Sequence, residues 1–174
     1  LNNCRLAGDA ENKSVPQTKQ QIEAHLRTAQ CSPRHQWGQN FLIDLNLMRL
    51  LVSSAQISPD DTVLEIGCGT GSMTALLAQK AGAVVTAEID KGLANIAATQ
   101  LSAYENISLL CTDVLAQKGQ IDNAVMTEVA RARGQLGGAF KVVANLPYQV
   151  ASPLLINLLD GESPPTGVFI TVQL

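Results

Sequence analysis

Apolar and polar positions alternate along this chain in a regular order. Up to about Thr18 the chain is polar and without period, which predicts a tail. In QQIEAHLRTA, Ile22 and Leu26 stand four apart and predict a short amphipathic helix. A second helix is expected around Leu47, Leu50 and Leu51, with Asp44 as its N-cap. From Asp61 onward the pattern tightens into strand, glycine turn, helix and strand: TVLEIG, then SMTALLAQKAG stopped by Gly82, then AVVTAEID.

The same alternation continues with a helix over LANIAATQLSAY, a strand at NISLLCTD, a helix around NAVMTEVARAR and a strand at FKVVANL after Gly137 and Gly138. Pro153 is expected to open a further helix, PLLINLLD, and the turn SPPTG leads into the strand-like run VFITVQL. Continuous apolar strands separated by helices predict an α/β fold with an open, mostly parallel sheet, right-handed crossovers and helices on both faces. Residues 1–32 read as a polar tail with a short helix, and 33–174 as the main domain. Ending on an apolar strand, and beginning at Leu1 without Met, the chain is expected to be truncated before its last strands.

Composition narrows the class. With 46% hydrophobic and 16% charged residues the chain can bury one sizeable core. No apolar run approaches the roughly 18–20 residues of a membrane span, so a cytoplasmic protein without membrane association is expected. A formal net charge of -3 is not the footprint of a free-standing nucleic-acid binder. Any nucleic-acid-binding surface must then be local or lie in a segment outside this chain. Cys4, Cys31, Cys68 and Cys111 form no C-x-x-C pair, and His35 after Cys31 lacks a second pair of ligands, so no metal is expected.

The candidate chemistry sits at strand ends. Glu65-Ile66-Gly67-Cys68-Gly69-Thr70-Gly71 is a strand-to-helix turn in which glycines let the backbone approach a ligand. Such a turn serves dinucleotides and S-adenosylmethionine alike. Glu88, ending the second strand, can accept hydrogen bonds from both hydroxyls of a ribose, and Asp113, closing the third, can accept from an adenine amino group. The fourth strand ends in Asn145-Leu146-Pro147-Tyr148. An exocyclic adenine amine is a poor nucleophile, because its lone pair is delocalised into the ring. The Asn145 side-chain carbonyl and the Leu146 backbone carbonyl can hold it pyramidal, facing a methyl donor. Pro147 removes a competing N–H, and Tyr148 offers a face on which an extruded base stacks.

With GQNFL (Gly38 to Leu42), EIGCGTG, AEID and NLPY in this order, the chain resembles the ribosomal RNA adenine N6,N6-dimethyltransferase family, from about Gln36 to Leu174. The resemblance implies a Rossmann-like class I methyltransferase fold with S-adenosylmethionine as cofactor. Asn40 and Leu42 would lie against the cofactor, Gly67 at its amino-acid end, Glu88 at its ribose and Asp113 near its adenine. Asn145 would link cofactor and target. It also implies dimethylation of adenines in small-subunit rRNA, with the rRNA or a pre-30S-type particle as partner, and a monomer. The family's remaining strands and C-terminal helical domain are expected to lie beyond this chain. Cys68, Thr112 and Gln149-Val150-Ala151 depart from its usual residues.

Three other readings compete. A DNA N6-adenine or glutamine-amide methyltransferase more typically has Pro where Leu146 stands, and a nicotinamide-dependent oxidoreductase leaves NLPY without a role. From a different class, a non-catalytic nucleic-acid-binding relative would serve as a transcription or ribosome-assembly factor.

Overall fold

The computed structural model describes residues 20–22, 24, 42, 44–115 and 120–173. Five strands form one sheet: β1 Thr62–Ile66, β2 Ala83–Ala87, β3 Ile107–Leu110, β4 Phe140–Pro147 and β5 Gly167–Gln173. Among the described residues from Leu45 on, five helices connect and cover them: α1 Leu45–Ser54, α2 Ser72–Ala78, α3 Lys91–Gln100, α4 Asn123–Leu136 and α5 Tyr148–Asp160. The strand order is β3-β2-β1-β4-β5, and every pair is parallel. The expected fold class and all five expected strands are present.

Parallel strands must be covered on both faces, and the sequence supplies apolar runs for this, with a Val-Val pair in β2 and in β4. All five residues of β1 are buried. Successive side chains point to opposite faces. Val63, Val84 and Val143 therefore join a core with Met48, Leu51 and Val52 of α1 and with Leu77 of α2. Leu64, Val85 and Val142 join another with Val125 and Val129 of α4 and with Leu154 and Leu158 of α5.

Local signals place several helix ends. Asp44 caps α1 as expected, accepting from Asn46 N at 2.8 Å and Leu47 N at 3.3 Å. Asp90 caps α3 in the same way through Gly92 and Leu93. Pro153, expected to open a helix, instead lies inside α5, which begins five residues earlier. Pro147 precedes that helix with φ -61° and ψ 144°, so the chain passes from strand to helix without a loop. Burial of Ala151, Leu154 and Leu158 offsets the hydrogen bond lost at Pro153. Gln20, Gln21, Ile22 and Ala24 are helical, and Ile22 is buried in the α1 side of the core.

At the amino ends of the strands, Asp61 joins three segments. Its Oδ2 accepts from Ser58 N and from Lys141 Nζ, each at 2.8 Å, and its Oδ1 accepts from Ala139 N at 3.0 Å. Burial alone would raise this carboxyl's pKa, but Lys141 and the backbone donors outweigh it and bring it down to about 2.

Candidate active site

The carboxyl ends of β1, β2 and β4 and the loop after β3 open into a cavity of about 500 Å³, a size suited to a nucleoside-containing ligand. The turn after β1 forms its floor. Gly67, Gly69 and Gly71 all have positive φ, at 76°, 57° and 88°. A Cβ on Gly67 would meet nothing within 4 Å, so backbone conformation requires glycine there, and open space lies in front of it. Gly67 N donates to Ala87 O at 2.8 Å, which ties the turn to the end of β2.

Glu88 follows directly and is 3% exposed. Gly69 N donates to its Oε2 and Asp90 N to its Oε1, both at 2.9 Å. Each oxygen keeps a second lone pair with which it can accept a hydroxyl. Burial raises the Glu88 pKa, against the opposing pull of those amides. Glu65 also lines the cavity, although only as part of the glycine-turn motif did the sequence mark it. It is fully buried, and Thr74 Oγ1 donates to its Oε2 at 2.6 Å. Among the described residues its Oε1 has no hydrogen-bond partner. Burial pushes its pKa up to about 7, and the charge of Glu88 adds to the rise. The available signal was an acid inside an otherwise apolar strand, where a carboxylate is not expected unless something is to pair with it.

Asp113 reaches the cavity from the loop after β3, three residues beyond the strand, and is exposed. Its Oδ1 accepts from Leu115 N at 2.9 Å. The preceding Thr112 donates to Asp122 Oδ2 at 2.8 Å, and Asp122 caps α4 through Ala124 N, so the loop is tied to the next helix. The cavity thus carries three carboxylates, Glu65, Glu88 and Asp113, and no Lys or Arg among its described lining residues.

Asn145, Leu146 and Pro147 supply the β4 wall. They belong to the strand, which stays paired with β5 through Pro147. Where the sequence pattern ends the fourth strand, the ladder to β5 carries the extended conformation through Pro147. Asn145 Oδ1 accepts from Thr171 Oγ1 at 2.8 Å. Tyr148 is outside the lining and 62% exposed, whereas Gln149 and Val150 line the cavity. Leu42 and Ile22 contribute from the N-terminal side. The cavity therefore brings together Leu42, Gly67, Glu88, Asp113, Asn145, Leu146 and Pro147, while Asn40 lies outside the described residues. Cys68 is buried on the lining, and burial holds its thiol well above its ordinary pKa, which disfavours the thiolate.

A family model described as ribosomal RNA adenine dimethylase matches residues 31–174. The chain belongs to the ribosomal RNA adenine dimethylase family. It is 41% identical over 136 residues to a protein named ribosomal RNA small subunit methyltransferase A from Geobacillus thermodenitrificans, covering 78% of this chain and 44% of that one. The protein of the same name from Moorella thermoacetica is 41% identical over 141 residues, covering 81% and 48%. This dimethylase-family chain therefore spans about half the length of the curated relatives it matches. Among solved structures it is similar to the 23S rRNA methyltransferase ErmE, with 28% identity and a TM-score of 0.60, covering 78% of this chain and 48% of that one. A dimethyladenosine transferase from Plasmodium falciparum shares the fold at a TM-score of 0.53 and 24% identity, covering 72% and 39%.

Proposed function

We propose that this chain is the cofactor-binding and catalytic portion of an enzyme that transfers methyl groups from S-adenosylmethionine to the N6 amine of adenines in small-subunit rRNA, giving N6,N6-dimethyladenosine. The observation that carries the cofactor is the acid-lined cavity. A dinucleotide would bring a pyrophosphate to the glycine turn, where Glu65 and Glu88 would repel it. S-adenosylmethionine brings a sulfonium and an ammonium, which those carboxyl groups attract, and their raised pKa values are drawn back down when a cation binds. The names of the relatives and the Asn145-Leu146-Pro147-Tyr148 segment support rRNA adenine as the target.

In this reading Glu88 accepts from the ribose hydroxyls and Asp113 from the adenine amino group of the cofactor. Leu42 and Val150 supply apolar walls, and Gly67 admits the amino-acid end. The target amine enters beside Asn145, whose carbonyl accepts one N–H. Tyr148, standing exposed next to the mouth, stacks on the extruded base. S-adenosylmethionine, held there, would supply an electrophilic methyl for in-line displacement by the amine, the carbon–sulfur bond electrons staying on sulfur and the N6 proton leaving to water. Positioning and exclusion of water carry most of the acceleration.

Calorimetric titration of S-adenosylmethionine, with NADH as control, tests the reading, first on this chain and then on the natural full-length protein. Saturable binding of the methyl donor alone, followed by methylation of undermethylated small ribosomal subunits, is the expected result. Binding of NADH in preference would overturn the cofactor. Binding of the donor without any methyl transfer would instead favour the non-catalytic relative.

A further inference from the structure

Asn145 and Thr171 are direct register partners across the β4–β5 ladder, so their side chains leave the sheet on the same face. Thr171 Oγ1 donates to Asn145 Oδ1 at 2.8 Å. We propose that Thr171 is a positioning residue for methyl transfer, holding the Asn145 carboxamide so that its carbonyl, and not its NH2, faces the target amine. The proposal rests on the methyltransferase reading of the cavity.

A carboxamide rotates about χ2 between two orientations that differ mainly in which end presents a donor and which an acceptor. For an amine nucleophile the difference decides the outcome. An acceptor draws an N–H toward itself and leaves the nitrogen lone pair free to point at the methyl group. An NH2 in the same place would itself donate to that lone pair and block it. A carbonyl oxygen has two lone pairs, so a bond from Thr171 and one from an incoming amine are compatible. Thr171 is half-buried within β5, and its β-branch restricts χ1, so its hydroxyl is held in place by the strand.

The sequence does not single out this residue. Thr171 stands 26 positions from Asn145 inside an apolar run and becomes its neighbour only through strand register.

The test uses the natural full-length protein with Thr171→Val, which keeps the shape and removes the hydroxyl, and Thr171→Ser, which restores it. Val is expected to lower kcat about tenfold, the effect of roughly one net hydrogen bond, with the KM for S-adenosylmethionine unchanged and Ser near wild type. In an Asn145→Ala background, Thr171→Val is expected to have no further effect. An unchanged kcat in Thr171→Val, or an equal fall in the Asn145→Ala background, overturns the proposal. If wild type binds the cofactor but transfers no methyl group, the functional reading fails by itself. The side-chain amide signals of Asn145 in asparagine-labelled protein still report the tether: they shift in Thr171→Val if it exists, and unmoved signals overturn it.

Discussion

The two ends of the sheet treat buried carboxylates in opposite ways. At the amino ends, Asp61 is closed on itself by Lys141 and two backbone amides, and its pKa falls to about 2. At the carboxyl ends, Glu65 and Glu88 are as deeply buried but have no cationic partner among the described residues, and both pKa values rise. The first arrangement is a finished structural contact that ties β4 to the segment before β1. The second leaves two hydrogen-bonded carboxyl groups on the cavity without a counter-charge among the described residues. Acids paired with a lysine at one end of the sheet and left without a cation at the other fit the proposed cationic ligand.

The largest expected effect comes from breaking the closed end. Asp61→Ala leaves Lys141, whose side chain is only 15% exposed, bonded to Gln56 O but without its counter-charge, and removes the acceptor for Ser58 and Ala139. A loss of about 3–5 kcal/mol in unfolding free energy is expected from denaturant titration. A loss under 1 kcal/mol would make the two ends equivalent. In the wild type this contribution is full above the ordinary carboxylate pKa of 3.8 and is lost as pH falls toward about 2.

Glu88→Ala acts on binding and also removes the acceptor of Gly69 N and Asp90 N, so its affinity is compared in protein shown to be folded. It is expected to weaken S-adenosylmethionine binding by about 1.5–3 kcal/mol, read by calorimetry. Unchanged affinity in a folded variant would remove Glu88 from the cofactor site.

The smallest effect is expected at Glu65, and with the opposite sign to Asp61. A carboxyl whose pKa is raised in the folded state contributes fully below 4.5 and loses that contribution as pH rises to about 7. Glu65→Gln should therefore gain stability relative to wild type as pH rises across that range, by on the order of 1 kcal/mol, a usual size for one substitution. Thermal melts at pH 4.5 and pH 8 would show it. A variant that loses stability more at pH 8 than at pH 4.5 would mean that Glu65 is paired in the apo protein.

Much of the site was legible in the sequence because its parts are local. Glycine, acid, acid and amide mark four strand-end regions, and the strands were recognisable from their apolar runs. Glu88 and Gly67 could be found by counting along one βαβ unit. Legibility failed where a residue's role depends on a partner far along the chain. Tyr148 reads as part of one tetrapeptide with Asn145, yet the immediate start of α5 turns it outside the cavity lining while Gln149 and Val150 come inside. Ile22 reads as one face of a short helix, and only packing brings it to the cavity.

What the amino-acid order determined by itself is whatever propagates over a few residues: the strand and helix segments, the Asp44 cap and the left-handed glycines of the turn after β1. These follow from side-chain period, capping chemistry and the steric cost of a Cβ at positive φ. The tertiary structure alone decided which polar side chains are paired. Asp61 meets Lys141 80 positions later, Asn145 meets Thr171 26 positions later, and Glu65 meets no cation among the described residues. The physical reason is that strand order and register set distances between segments, and a charge or a hydrogen bond acts only across the few ångströms that they leave.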